Sequence, residues 1–192
     1  MLETKWVVSG TAFATLCWRR DLPTASCIFG AVLNALLGKV LKRIFNSSRP
    51  TGAALTDPGM PSSHAQSLFF FASYLSLVVD DLVIESFVGS APIIRAAFPA
   101  ACFGTAAVLA NLRVRAGLHT YAQVSVGGAF GAAAAAAWVK LQPSLILAVR
   151  GRMDGTGTPA VVLLLVVGAL VVGSAERGVA RWLKTARPTK RE

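Results

Sequence analysis

Apolar stretches recur along the chain, each closed by charge or proline: Trp6–Trp18, Thr24–Leu41, His64–Val79, Ala96–Leu112, Thr120–Val139 and Pro159–Ala175. Most fall slightly short of the roughly 20 residues that cross a hydrocarbon core at about 1.5 Å per residue. The pattern predicts an all-α, multi-pass transmembrane helical bundle of about six helices, a single domain over residues 1–192. A bundle of four with a peripheral pair is the alternative. Lys5 and the run Trp6–Trp18 resemble the start of a secretory signal, but the run ends in Trp18-Arg19-Arg20 and not in small residues, so it reads as a short membrane segment.

The fifth stretch carries Gly127-Gly128, Gly131 and the run Ala132 to Ala137. In lipid, small residues let helices approach closely. Asp80, Asp81, Glu85 and Arg95 mark one connecting loop, and residues 177–192 form a basic tail suited to an anionic membrane surface. No internal repeat is present.

Composition sharpens this picture. The chain is 54% hydrophobic and only 15% charged, with mean hydropathy +0.59. A soluble domain carries about 25% charged residues, so an ordinary water-soluble enzyme is excluded. Nineteen Lys and Arg against nine Asp and Glu leave a net charge of +10, which calls for an anionic partner. Cys17, Cys27 and Cys102 all lie in apolar runs without a CxxC, as small buried hydrophobes do.

Chemistry concentrates in two places: KRIFNSSRPTGAALTDPGMPSSH, from Lys42 to His64, and RVRAGLHTYAQ, from Arg113 to Gln123. Each falls between consecutive apolar stretches, and one helix pair separates them, so both emerge on the same membrane face. Both histidines of the chain, His64 and His119, thereby meet Lys42, Arg49 and Arg113.

The local chemistry points to phosphate. Pro61-Ser62-Ser63-His64 opens the third stretch, and proline and serine are favoured at a helix start. Free backbone N–H groups and the positive dipole end there make an anion site. Arg49 and Arg113 can grip phosphate oxygens bidentately while Lys42 adds a compact charge. Such a clamp stabilises a phosphoryl group whose charge is rearranging. One histidine would attack phosphorus and the other protonate the leaving group. Spacing alone leaves open which is which.

At these residues the chain resembles the type-2 phosphatidic acid phosphatase and haloperoxidase superfamily, whose pattern is K-x6-RP, PSGH and SR-x5-H-x3-D. Lys42, Arg49 and Pro50 match the first block, Pro61, Ser62 and His64 the second, and Arg113 and His119 the third, in order over residues 42–123. The resemblance implies His119 as nucleophile, His64 as general acid, and a phosphate held by Lys42, Arg49, Arg113 and the Ser62 and Ser63 amides. It also implies no cofactor and no metal, in keeping with motifs that lack a clustered ligand set.

Three positions depart from that pattern: Ser63 for Gly, Leu112 for Ser, and Gln123 for the Asp that orients the nucleophile. His119 and Gln123 are i,i+4 neighbours, and the Gln carbonyl can accept the imidazole N–H and set the tautomer without supplying charge. No other acid is an obvious substitute. The strings DPGMPSSHAQS and LHTYAQVSVGG are similar to dolichyl-diphosphate phosphatases and plastid-type lipid phosphate phosphatases. That resemblance implies a lipid phosphate or diphosphate substrate, phosphatidate or a polyprenyl chain, in the endoplasmic reticulum or plastid envelope.

Weaker signals add little. Asn46-Ser47-Ser48 is a glycosylation triplet placed where a glycan would crowd Lys42 and Arg49, and Gly155-Thr156-Gly157 lacks the rest of a nucleotide loop. Trp6, Trp18, Trp138 and Trp182 lie near segment ends, as an interfacial belt would. Most basic residues fall on the motif-bearing face, which the positive-inside rule turns toward cytosol or stroma. Nucleic acid is not needed to explain the charge, and no protein partner is implied. The rival readings are a phosphotransferase using the same histidine and a non-enzymatic lipid-binding protein.

Overall fold

A computed structural model of the chain describes residues 14–15, 18–19, 21–53, 57–78 and 92–150. Four helices follow in order: α1 (Leu22–Phe45), α2 (Ser63–Leu77), α3 (Pro92–Arg115) and α4 (Tyr121–Arg150). All regular structure among the described residues is helical. By length and composition α1, residues 96–115 of α3 and residues 121–148 of α4 are each able to cross a membrane. Helix α2, at 15 residues, is shorter.

Each start and stop has a local cause. Asp21 Oδ1 accepts the Thr24 N–H at 2.7 Å and caps α1. Asn46, in the left-handed region at φ 39°, follows its last turn and donates its N–H to the Lys42 carbonyl. The triplet read as a glycosylation signal therefore begins with a helix-terminating residue. Ser62, its side chain accepting from the Ala65 N–H, is the N-cap of α2.

Several expectations change. Four of the roughly six expected helices are described, and the other two stretches fall largely or wholly outside the described residues. Of the first apolar stretch only residues 14–15 and 18–19 are described, as helix. The sixth stretch, the Asp80–Glu85 loop and the basic tail lie outside the described residues. Lys42 and Arg113, expected in loops, occupy the last turns of α1 and α3, where cations interact favourably with the carbonyl ends. The fifth stretch does not stop at Val139: α4 runs through Lys140 and Pro143 to Arg150. In apolar surroundings an unbroken helix satisfies most backbone groups, and one proline is tolerated. Trp138 is accordingly a buried mid-helix residue and not an end marker.

The described chain belongs to two compact units, residues 1–32 with 149–192 and residues 33–148. Within the second, Ala65, Ala110 and Val124 form a buried contact of α2, α3 and α4, with Leu68, Phe69 and Val114 around it. Close approach of α2 and α4 depends on glycines: a Cβ on Gly127 would stand 2.6 Å from the Ser62 carbonyl oxygen, and one on Gly131 would strike that of Gln66. Gln66 Nε2 donates to both the carbonyl and the Oδ1 of Asn34, each at 2.9 Å, tying α2 to α1 inside the apolar core. Outward positions are apolar, among them Val40, Ile44, Val108, Leu141 and Leu147, as a lipid-facing surface requires.

Candidate active site

The Arg-x5-His spacing has a structural origin at the end of α3. Gly117 takes φ +67°, its N–H bonds the Val114 carbonyl, and the Leu118 N–H returns to the Arg113 carbonyl at 3.1 Å. This is a Schellman turn. It reverses the chain within five residues of Arg113 and sets His119 at the threshold of α4.

Thr120 and Gln123 then start α4 by exchanging hydrogen bonds. The Gln123 N–H donates to Thr120 Oγ1, and Gln123 Oε1 accepts the Thr120 N–H, both at 3.2 Å. This T-x-x-Q capping box was readable in the sequence and was missed there. Gln123 Nε2 donates to the Ser48 carbonyl at 2.8 Å, so the amide is oriented from both ends. Its Oε1 faces His119 Nδ1 at 3.1 Å.

The tautomer of His119 follows from its neighbours. Arg49 Nη1, which can only donate, lies 3.1 Å from His119 Nε2. Nε2 must therefore accept, and Nδ1 carries the hydrogen and donates it to Gln123. The ring is buried. Burial, then the charges of Arg49, Lys42 and Arg113, outweigh the Gln123 hydrogen bond and hold the imidazole below the ordinary histidine range. At neutral pH it is an uncharged ring with its lone pair toward the cations.

Arg49 is fixed on several sides. Nη1 also donates to the Leu118 carbonyl at 2.8 Å, and Nε to the Asp57 carbonyl at 2.9 Å. The Asp57 carboxylate bridges Arg49 Nη2 at 2.9 Å and Lys42 Nζ. Partial burial works against its charge, but the Lys42 hydrogen bond and the two cations prevail and hold it below the usual carboxylate range. An acid does therefore stand near the motifs. It lies beyond Arg49, on the Nε2 side of His119, and does not replace the Asp expected at Nδ1. Nothing periodic in the sequence marks it.

Ser62 is fully buried, and its N–H donates to the Gln123 carbonyl at 3.0 Å. The amide expected to hold phosphate instead fastens the loop to α4, because Ser62 sits under Gly127. Ser63 and His64, both exposed, supply the first-turn amides of α2. The charge of Arg113 acts on both His64 and His119, and its buried Nε has no partner among the described residues. Arg49, His119 and Gln123 are thus joined by direct contacts and Lys42 through Asp57, with Arg113 within electrostatic reach of both histidines.

Gly59 completes the support. Its N–H donates to the Ser47 carbonyl at 2.7 Å, and a Cβ there would stand 2.5 Å from Gln123 Nε2. Only glycine lets the loop lie on the amide that orients His119.

Helices long and apolar enough to cross a membrane thus carry a cluster of cations around a buried histidine where α1, α3 and α4 end or begin. The chain belongs to the PAP2 superfamily, whose family model matches residues 23–147. It is 30% identical, over 96% of its length, to lipid phosphate phosphatase epsilon 2, chloroplastic, of Arabidopsis thaliana, covering 61% of that protein. The same identity and share of the chain hold for lipid phosphate phosphatase epsilon 1, chloroplastic, of the same plant, covering 63% of it. Over 71% of its length it is 31% identical to dolichyldiphosphatase 1 of Homo sapiens, covering 60% of that protein. The chain spans about three fifths of the length of these curated relatives. No solved structure matches.

Proposed function

We propose that this chain is an integral-membrane lipid phosphate phosphatase that cleaves phosphate from phosphatidate or from a polyprenyl, dolichyl-type diphosphate. The observation that carries the reading is His119, neutral, with Nδ1–H anchored on Gln123 and its Nε2 lone pair beside Arg49. Nε2 attacks phosphorus as the bond to the leaving oxygen breaks, and His64 delivers its proton to that oxygen. Water then attacks the phosphohistidine. His64 takes a proton from that water, phosphate leaves, and Nε2 regains its lone pair. Lys42, Arg49, Arg113 and the first-turn amides at Ser63 and His64 hold the phosphoryl oxygens throughout.

The names of the relatives support a lipid-borne phosphate, and the apolar outer faces of α1, α3 and α4 keep a hydrocarbon chain in the bilayer while the headgroup meets the site. The two chloroplastic relatives favour the plastid envelope over the endoplasmic reticulum, and the basic residues favour an active face toward stroma or cytosol. The test is phosphate release in detergent micelles with EDTA present, from phosphatidate and from polyprenyl diphosphate. The intact protein should release phosphate and His119→Ala should not. Release that survives this substitution would sink the histidine mechanism.

A further inference from the structure

Asp57 has no role in the reaction above, yet it engages the donors that a phosphate would use. Its two carboxylate oxygens take Lys42 Nζ and Arg49 Nη2, and its carbonyl takes Arg49 Nε. A bidentate arginine presents Nε and Nη2 as one edge of its fork, and here a single residue engages both. The three side chains differ in their freedom. Lys42 and Arg49 are 15% and 6% exposed, while Asp57 is 50% exposed. The cations are fixed by surrounding protein, and the carboxylate approaches from the solvent side.

Charge arithmetic then decides who wins. A carboxylate carries one negative charge on two oxygens. A phosphate monoester or terminal diphosphate carries nearly two on three, so it gains more from the same cations. A monoanionic phosphodiester has no such advantage.

We propose, on the phosphatase reading of this site, that Asp57 is a built-in competitor for the phosphate-binding cations and thereby a specificity residue. It occupies Lys42 and Arg49 until a dianionic phosphoryl group displaces it outward, and it holds off monoanionic phosphodiesters. A carboxylate that serves instead as a brace for the two cations would make the opposite prediction, because removing a brace weakens the site.

Calorimetric titration of the full chain in detergent micelles separates the two. The probes are inorganic phosphate and dimethyl phosphate, compared for the wild type, Asp57→Asn and Asp57→Glu. Asp57→Asn should bind inorganic phosphate about fivefold more tightly, the size expected when a partly exposed ion pair no longer competes. Its preference for inorganic phosphate over dimethyl phosphate should shrink, and Asp57→Glu should stay near the wild type. Unchanged or weaker phosphate binding by Asp57→Asn, in protein whose thermal unfolding remains cooperative, would overturn the proposal while leaving the phosphatase reading standing. If Asp57→Asn does not fold, Asp57→Ser serves the same comparison. Phosphate binding by no form of the protein would overturn both readings.

Discussion

Gln123 steadies His119 from the side away from the cations: its Oε1 lies 3.1 Å from Nδ1, while Arg49 lies 3.1 Å from Nε2 on the opposite edge of the ring. An amide accepts the N–H and fixes the lone pair without adding charge, so the ring is neutral because of burial and cations, not because of a carboxylate partner.

Changing that partner should move the acid limb of kcat/KM in opposite directions. Gln123→Glu places a carboxylate at Nδ1, favours imidazolium, raises the folded pKa of His119 and shifts the limb upward. Gln123→Ala removes a hydrogen bond that raises the pKa, so its limb should move downward. A pH profile of phosphate release checks both, and a limb indifferent to either change would separate Gln123 from the ionisation of His119.

Gly59→Ala should damage the site although Gly59 itself is given no part in the reaction. The new methyl would meet Nε2, Cδ and Oε1 of Gln123 within 2.8 Å, and overpacking of this kind costs about 1–3 kcal/mol. Thermal unfolding in detergent should show that loss. In the double variant with Gln123→Ala the penalty should shrink by at least about 0.5 kcal/mol, since the struck group is gone.

Arg113 sets stability against function. Its buried Nε lacks a partner among the described residues, a condition that costs about 1–3 kcal/mol. Arg113→Met should therefore raise the unfolding free energy by about 1 kcal/mol while lowering kcat by roughly 10²–10³-fold. Melting and turnover measured on the same preparation test the opposition, and a fall in both would assign Arg113 to the fold.

Two helix glycines should behave in contrasting ways. Gly131→Ala drives a methyl into the Gln66 carbonyl and the α2 backbone, whereas nothing lies within 4 Å of a Cβ on Gly104. Gly104→Ala should stabilise by about 0.5–1 kcal/mol through helix propensity, and Gly131→Ala should lower the melting temperature by several degrees.

The cations and histidines were legible because their spacing follows local turns. Arg113 and His119 are tied by a Schellman reversal, and Lys42 and Arg49 flank the end of a helix. The glycines of the fifth stretch were legible as packing residues. Helix ends were less so, since Pro143 sits inside α4, beyond the expected stop at Val139, where the backbone has no better partner than itself. The Thr120–Gln123 box lay in plain view but overlapped a residue already given another role. Asp57 was out of reach, because its contact with Lys42 across fifteen positions depends on the path of an irregular loop with no periodic signal. For the same reason the Ser62 amide was assigned to phosphate when the loop turns it onto α4.

The exchange of hydrogen bonds between Thr120 and Gln123 carries a consequence for heat. The side chain that orients His119 is also the one that closes the first turn of α4, so fraying of that turn and misalignment of the imidazole are one event. Local openings of this kind cost less free energy than global unfolding. On heating, activity should therefore fade as this single turn opens, at a temperature below that at which the bundle around it melts.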